Sequence, residues 1–114
     1  MISLHETGEL LKTIKLSCPR FSVPAKVEDL EKLTKVWHYA LNVDVDYPAF
    51  VFEDAVGSYF AVASKDDNAP LPGDIRAHCR RVIDRIEVDS VRGPNLRKWR
   101  EDKARERDAR LNGT

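Results

Sequence analysis

The 114-residue chain lacks the run of about 20 apolar residues that a membrane-spanning helix needs. Its first residues, Met1-Ile2-Ser3-Leu4-His5-Glu6, also lack the basic region and apolar stretch of a secretory leader. The expectation is a soluble, cytoplasmic protein with no membrane partner. Cysteine is scarce. Cys18 and Cys79 are too few for a disulfide scaffold, and each falls where a helix wants an apolar residue, so both are read as reduced core residues. Net charge is absent as well: nineteen basic side chains face nineteen acidic ones. That balance excludes a strong global field for nucleic acid or anionic lipid and leaves local charge as the place to look for an electrostatic partner. No glycine-rich phosphate loop, metal-ligand spacing or nucleophile with a matching base stands out. Neither an enzyme nor a cofactor is therefore expected.

A chain of this length buries roughly two-thirds of the surface its unfolded form exposes, enough for one core. Helical periodicity fills most of it. Ser3 and Glu6 have capping-box spacing, and Leu4, Leu11, Ile14 and Cys18 follow at helical intervals, so a first helix is predicted over 4–17, ending before Pro19. Ser22 and Pro24 mark a second start. Val27, Leu30, Thr34, Trp37 and Leu41 carry that helix to about residue 41 with Trp37 on its buried side. Asp46 is a candidate cap for a third helix over about 47–64, with Val51, Ala55, Tyr59 and Val62 facing inward and Phe50, Phe52 and Phe60 widening the apolar face. Residues 65–72 have no periodicity and read as an exposed loop. A fourth helix over about 73–86 has Ile75, Cys79, Val82 and Ile86 as its inner stripe. The pattern is all-α: a small four-helix bundle-like domain over 1–87 and a charged C-terminal tail over 88–114.

The tail differs in composition. Residues 1–87 hold eleven basic and fourteen acidic side chains, and residues 88–114 hold eight and five. Arg92-Gly93-Pro94-Asn95 is read as a break, after which 96–111 resumes as a charged helix with Glu101–Arg105 and Glu106–Arg110 at favourable spacing. Only Leu96, Trp99 and Leu111 are sizeable apolar residues there, too few for a docking stripe, so a flexible tail, or a frayed or solvent-exposed helix, is predicted.

Elsewhere the chemistry-bearing residues have plain explanations. His78 and Cys79 are adjacent, which on a helix aims them about 100° apart, whereas ligands from one helix need a spacing of three or four. The acidic cluster Asp44, Asp46, Glu53 and Asp54 is accounted for by capping and solvation. Arg97-Lys98-Trp99-Arg100 is different. An indole among three cations can plug a protein pocket or stack on a base while the cations meet acidic groups or phosphates. A solvating terminus gains nothing from such an indole. The candidate partner-binding residues are thus Arg97, Lys98, Trp99, Arg100, Arg107 and Leu111.

The order Trp37-His38-Tyr39-Ala40-Leu41, Asp46-Tyr47, Ala55-Val56 with Tyr59, and Pro72-Gly73-Asp74-Ile75-Arg76, followed by a basic tail, resembles the phage replicative helicase loader and inhibitor family and related actinobacterial phage proteins. The likeness covers about residues 4–86. It implies a small helical domain and a flexible C-terminal segment that engages the replicative helicase, controls its loading or activity, and has no ATPase of its own. It also implies that DNA or an origin-binding protein is close by. Two other classes fit the residues: a nucleic-acid-binding accessory module using Arg76, Arg80 and the tail, and a regulatory adaptor unrelated to replication.

Overall fold

A computed structural model describes residues 1–64 and 67–111. Five helices follow in order: α1 (Leu4–Ser17), α2 (Val27–Asn42), α3 (Ala49–Val62), α4 (Pro72–Glu87) and α5 (Arg92–Leu111). Among the described residues there is no strand, so the chain is all-α as expected. Contacts group the chain into two compact units, Met1–Val82 and the residues from Ile83 onward, with the junction inside α4.

In the first unit α1 packs against both α2 and α3. Its start is fixed by the predicted capping box: the Glu6 amide donates to Ser3 Oγ at 3.0 Å, and the Ser3 amide donates to Glu6 Oε1 at 3.0 Å. The Ser3 amide, and after it the Ser3 hydroxyl, hold the Glu6 carboxyl below its usual range. The cap therefore contributes at pH values above the carboxyl's unfolded pKa and is lost as pH falls through the lowered folded value. Thr7, Leu10, Leu11 and Ile14 form the buried face. Leu4, expected inside, is exposed. Thr7 replaces it because its hydroxyl is satisfied by the Ser3 carbonyl at 2.7 Å and can be buried without loss.

Asn42 holds the segment before α1 in place. Its Oδ1 accepts from the Ile2 amide at 3.0 Å, while its Nδ2 donates to the Ile2 carbonyl at 3.0 Å and to the His38 carbonyl at 2.8 Å. One amide thus pairs with the Ile2 backbone in both directions and seats the Ile2 side chain in the core. At the other end of α1, the buried Phe21 meets Trp37 edge-on, with ring centroids 5.8 Å apart.

Several boundaries differ from the sequence expectation. α2 starts at Val27 after Lys26, with no side-chain cap, so Ser22 and Pro24 do not open it. The chain between carries Phe21 onto Trp37, and that burial outweighs a local start signal. Asp46 does not cap α3. The helix begins at Ala49 with Pro48 before it, and Asp46 faces the Met1 ammonium at 3.3 Å. Buried positions in α3 are Val51, Phe52, Ala55 and Val56, whereas Phe50 and Val62, expected on the apolar face, are exposed. The 65–72 loop is less open than predicted where it is described. Pro70 is buried, the Tyr59 hydroxyl donates to the Asn68 carbonyl at 3.0 Å, and the Arg20 guanidinium donates to the Asp67 carbonyl.

α4 has its predicted inner stripe, Ile75, Cys79, Val82 and Ile86, all buried, with Ile83 added. Pro72 occupies its first turn, where a missing N–H costs nothing, and Asp74 Oδ2 accepts from the Leu71 amide at 2.8 Å. Both cysteines are free and buried, and burial pushes the Cys79 thiol up to about 12, with Arg76 opposing in part.

Two substitutions test this packing in opposite directions. Trp37→Ala removes a buried indole and should lower unfolding stability by about 3–5 kcal/mol. Gly57→Ala should raise it by about 0.5–1 kcal/mol, since a Cβ there meets nothing within 4 Å and glycine inside a helix is costly. Denaturant unfolding of both variants checks the pair, and a destabilised Gly57→Ala would contradict the open space at α3.

Candidate functional site

The connection between α4 and α5 determines what the C-terminal helix can present. The break expected at Arg92-Gly93-Pro94-Asn95 lies earlier, at residues 88–91, and those four residues form the first turn of α5. Asp89 makes the difference. Its Oδ1 accepts from the Arg92 amide at 2.7 Å and the Val91 amide at 2.9 Å, giving an acceptor to two N–H groups at the start of the helix. These bonds, Arg92 first, hold the Asp89 carboxyl below its usual range. Pro94 falls where its absent N–H is not missed. The signal was present in the sequence, an aspartate followed within five residues by a proline.

Gly93 is needed for packing. A Cβ at this position would stand 2.9 Å from the Glu87 carbonyl oxygen and 3.1 Å from that of Ile86, so α5 approaches the end of α4 more closely than a side chain permits. Gly93 and Leu96 are buried, which attaches the base of α5 within its own unit. Beyond them the helix becomes exposed, and Leu111 ends it with 78% of its surface accessible.

Helical geometry divides the six sequence-predicted site residues. At about 100° per residue, Trp99, Arg100, Arg107 and Leu111 share one arc of about 120°. Arg97 and Lys98 lie outside it, because four consecutive residues circle a helix and cannot face one partner together. Lys98 is 4.0 Å from Asp102, and Arg105 also pairs with Asp102, in place of the predicted Glu101–Arg105 pair. The arc gathers three cations that the sequence reading passed over: Arg92, Lys103 and Arg110. None of the four acidic residues of α5 falls in it. Glu101, Asp102, Glu106 and Asp108 all project from the remaining circumference. A period-aware count of charges by helix face, rather than by segment, would have found the arc.

Within the arc Trp99 is half-buried, with Lys103 Nζ 5.8 Å from its ring centroid, a cation–π distance. Lys103 Nζ is 3.5 Å from Glu106, and Arg100 is 3.2 Å from Glu87. These pairs are solvent-exposed, and ion pairs of that kind contribute about 0–1 kcal/mol, so a partner's anions can displace them at little cost.

Other clusters have less to offer. Ser58 Oγ and His78 Nδ1 are 2.9 Å apart, and the Tyr59 ring stands edge-on to His78 at 5.7 Å. The distance would suit a nucleophile and base. Ser58 lies inside α3, however, where backbone amides are committed to the helix and cannot form an oxyanion hole at its Oγ. The pair satisfies a buried histidine. Burial, and then the charges of Asp74 and Asp67, raise the Tyr59 hydroxyl above its ordinary pKa. A groove of about 420 Å³ between α1 and α2 is lined by Leu11, Leu16, Val23 and Leu30, with Lys12 and Lys15 at its edge. Those lysines are engaged by Glu9 and by the Pro19 and Phe21 carbonyls, so the groove has no convergent polar groups to orient a ligand. Arg76, a phosphate candidate in one sequence reading, is half-buried and donates to the Ala40 carbonyl at 3.3 Å. Among the described residues no three His, Cys, Asp or Glu side chains are placed to hold a metal, and no helix is long and apolar enough to cross a membrane.

Compared with protein-family models, curated proteins and solved structures, the chain gives no significant match.

Gly93→Ala tests the attachment of α5. The added methyl should force α5 away from the end of α4, cost about 1–3 kcal/mol, and speed amide exchange in the first two turns of α5. Unchanged exchange there would contradict the close approach.

Proposed function

We propose that this protein acts by binding rather than by catalysis, and that α5 is its contact element for a partner in DNA replication, the replicative helicase. The observation that supports this most directly is the arrangement of α5. Its base is buried at Gly93 and Leu96, and its outer turns carry four cations, Arg100, Lys103, Arg107 and Arg110, with Trp99 and Leu111 on one arc free of the helix's own acids. A helix anchored at one end and exposed at the other can meet a second surface without disturbing its own core. Trp99 and Leu111 stand at the two edges of the arc, where they can enter apolar depressions on a partner with the row of cations between them.

The helicase itself is suggested by the family resemblance of residues 4–86, whose shared positions include the core residues Trp37, Leu41, Ala55 and Ile75. They support a common architecture, and the partner follows by analogy. On this reading the first unit carries α5 and needs no nucleotide of its own, and the protein sets when or whether the helicase is loaded.

Titration of the phage or host replicative helicase, nuclease-treated, with full-length and altered protein tests the reading. Truncation after Lys103 keeps the buried Leu96 and removes the exposed turns, and it should abolish association. Leu111→Ala should weaken association about tenfold, near 1.4 kcal/mol. Undiminished binding by the truncated chain would place the contact elsewhere on the molecule.

A further inference from the structure

We infer that the acid-free arc of α5 binds the phosphodiester backbone of nucleic acid, independently of sequence. The inference rests on the reading of α5 as the contact helix and specifies what its cations meet. Arg100, Lys103, Arg107 and Arg110 succeed one another at steps of three and four residues. They form a row about 15 Å long with a cation roughly every 5 Å. Arg92 continues the row on the inner side of Leu96.

Two features favour phosphates over a protein surface. The first is composition. The exposed part of the arc is nearly all cationic, with Leu111 its only fully exposed large apolar side chain, whereas the centre of a protein–protein interface is apolar and depleted in lysine. The second is segregation. α5 carries eight basic and four acidic residues, and all four acids lie off the arc, three of them beside Arg97, Lys98 and Arg105 on the opposite side. A helix that merely needed solubility would gain more from interspersed charges, which pair at three- and four-residue spacing. The acids at the margins of the row, Glu106 at 3.5 Å from Lys103 and Glu87 at 3.2 Å from Arg100, form exposed pairs that a polyanion can displace at little cost. Trp99, at the edge of this row, is placed to stack on an exposed base of a single strand. A bare helix is also narrow enough for the major groove of a duplex.

The whole protein has no net charge, so attraction for a polyanion must come from a local face rather than from the global field. That makes a charge-matched comparison decisive. The double variant Lys103→Gln/Arg107→Gln removes two cations from the arc, and Arg97→Gln/Arg105→Gln removes two from the other side, with the same change in net charge. The experiment is fluorescence anisotropy of labelled single-stranded and duplex oligonucleotides, titrated with full-length protein between 50 and 200 mM salt, with helicase association of each variant measured in parallel. Four phosphate contacts predict a slope of log K against log salt of about −3.6 for duplex and about −2.8 for a single strand. The arc variant should lower the magnitude of that slope by about 1.8 or 1.4 respectively and weaken binding at least tenfold at the lowest salt, while the control variant stays within about threefold of the parent chain.

A preference for one form identifies the source of the phosphates and supports the inference either way. Absence of binding to both forms at 50 mM salt, or equal losses in the two variants, overturns it. If nucleic-acid binding is absent while helicase association persists and depends on the arc, the cations meet a protein and only this inference falls. If neither ligand binds, the role of α5 as the contact helix falls with it.

Discussion

Burial of one face of α1 is the constraint on which the first unit depends. Thr7, Leu10, Leu11 and Ile14 turn inward from this helix, and both α2 and α3 are placed by packing on it. Apolar burial is strong but not directional, and a helix of this kind could slide or rotate against its neighbours if nothing else fixed it. Two contacts remove that freedom. Asn42 pairs with both backbone groups of Ile2 at one end, and Phe21 meets Trp37 at the other. A carboxamide with a donor and an acceptor is suited to the first task because it satisfies an N–H and a C=O together, leaving neither buried and unpaired. α2 is thereby tied to α1 before and after its own axis, and the remaining core fills in around them.

The second unit is organised by a different constraint, backbone proximity. α5 begins where Asp89 supplies acceptors for its first amides, and it lies close to the last turn of α4 because Gly93 has no side chain to hold them apart. The buried part of α5 is short, and the helix leaves the apolar environment after Leu96. Its remaining turns are stabilised by their own exposed ion pairs, Lys98–Asp102, Arg105–Asp102 and Lys103–Glu106, each worth a few tenths of a kcal/mol in this setting. Such a helix keeps its form without a partner yet yields its side chains readily to one. That combination suits a contact element better than either a buried helix or a disordered tail.

Charge distribution acts at a finer scale than the net charge suggests. A chain with equal numbers of acids and bases has little long-range field, and at physiological salt the screening length is about 8 Å. Within that distance what matters is the next few residues on the same face. The arc of α5 gathers cations with no acid of its own helix among them, while Glu106 and Glu87 pair with Lys103 and Arg100 at its margins, so charge is sorted locally although the molecule is balanced as a whole. Recognition by such a face is short-ranged and sensitive to orientation, which limits non-specific attraction to the rest of the surface.

The sequence by itself determined the helices and their inward residues wherever local signals agreed. The Ser3–Glu6 capping box, the Ile75–Cys79–Val82–Ile86 stripe and the burial of Trp37 all follow from spacing, since a helix has a fixed period and an apolar face must be covered. Part of the candidate site was legible in the same way: a basic, tryptophan-bearing helix could be named from composition. Tertiary structure decided the rest. Asp46 faces the Met1 ammonium because Asn42 brings the chain start to it, and Val27 opens α2 because Phe21 is drawn onto Trp37. The grouping of Arg100, Lys103, Arg107 and Arg110 follows from spacing in any helix over 96–111, but the addition of Arg92 and the burial of the same face at Gly93 and Leu96 depend on α5 starting at Arg92 and running unbroken through Pro94. A local reading that breaks the helix at Gly93 sees a run of charges. Only the continuous helix, started by Asp89 and set against the Glu87 carbonyl, adds Arg92 to that face and buries its base.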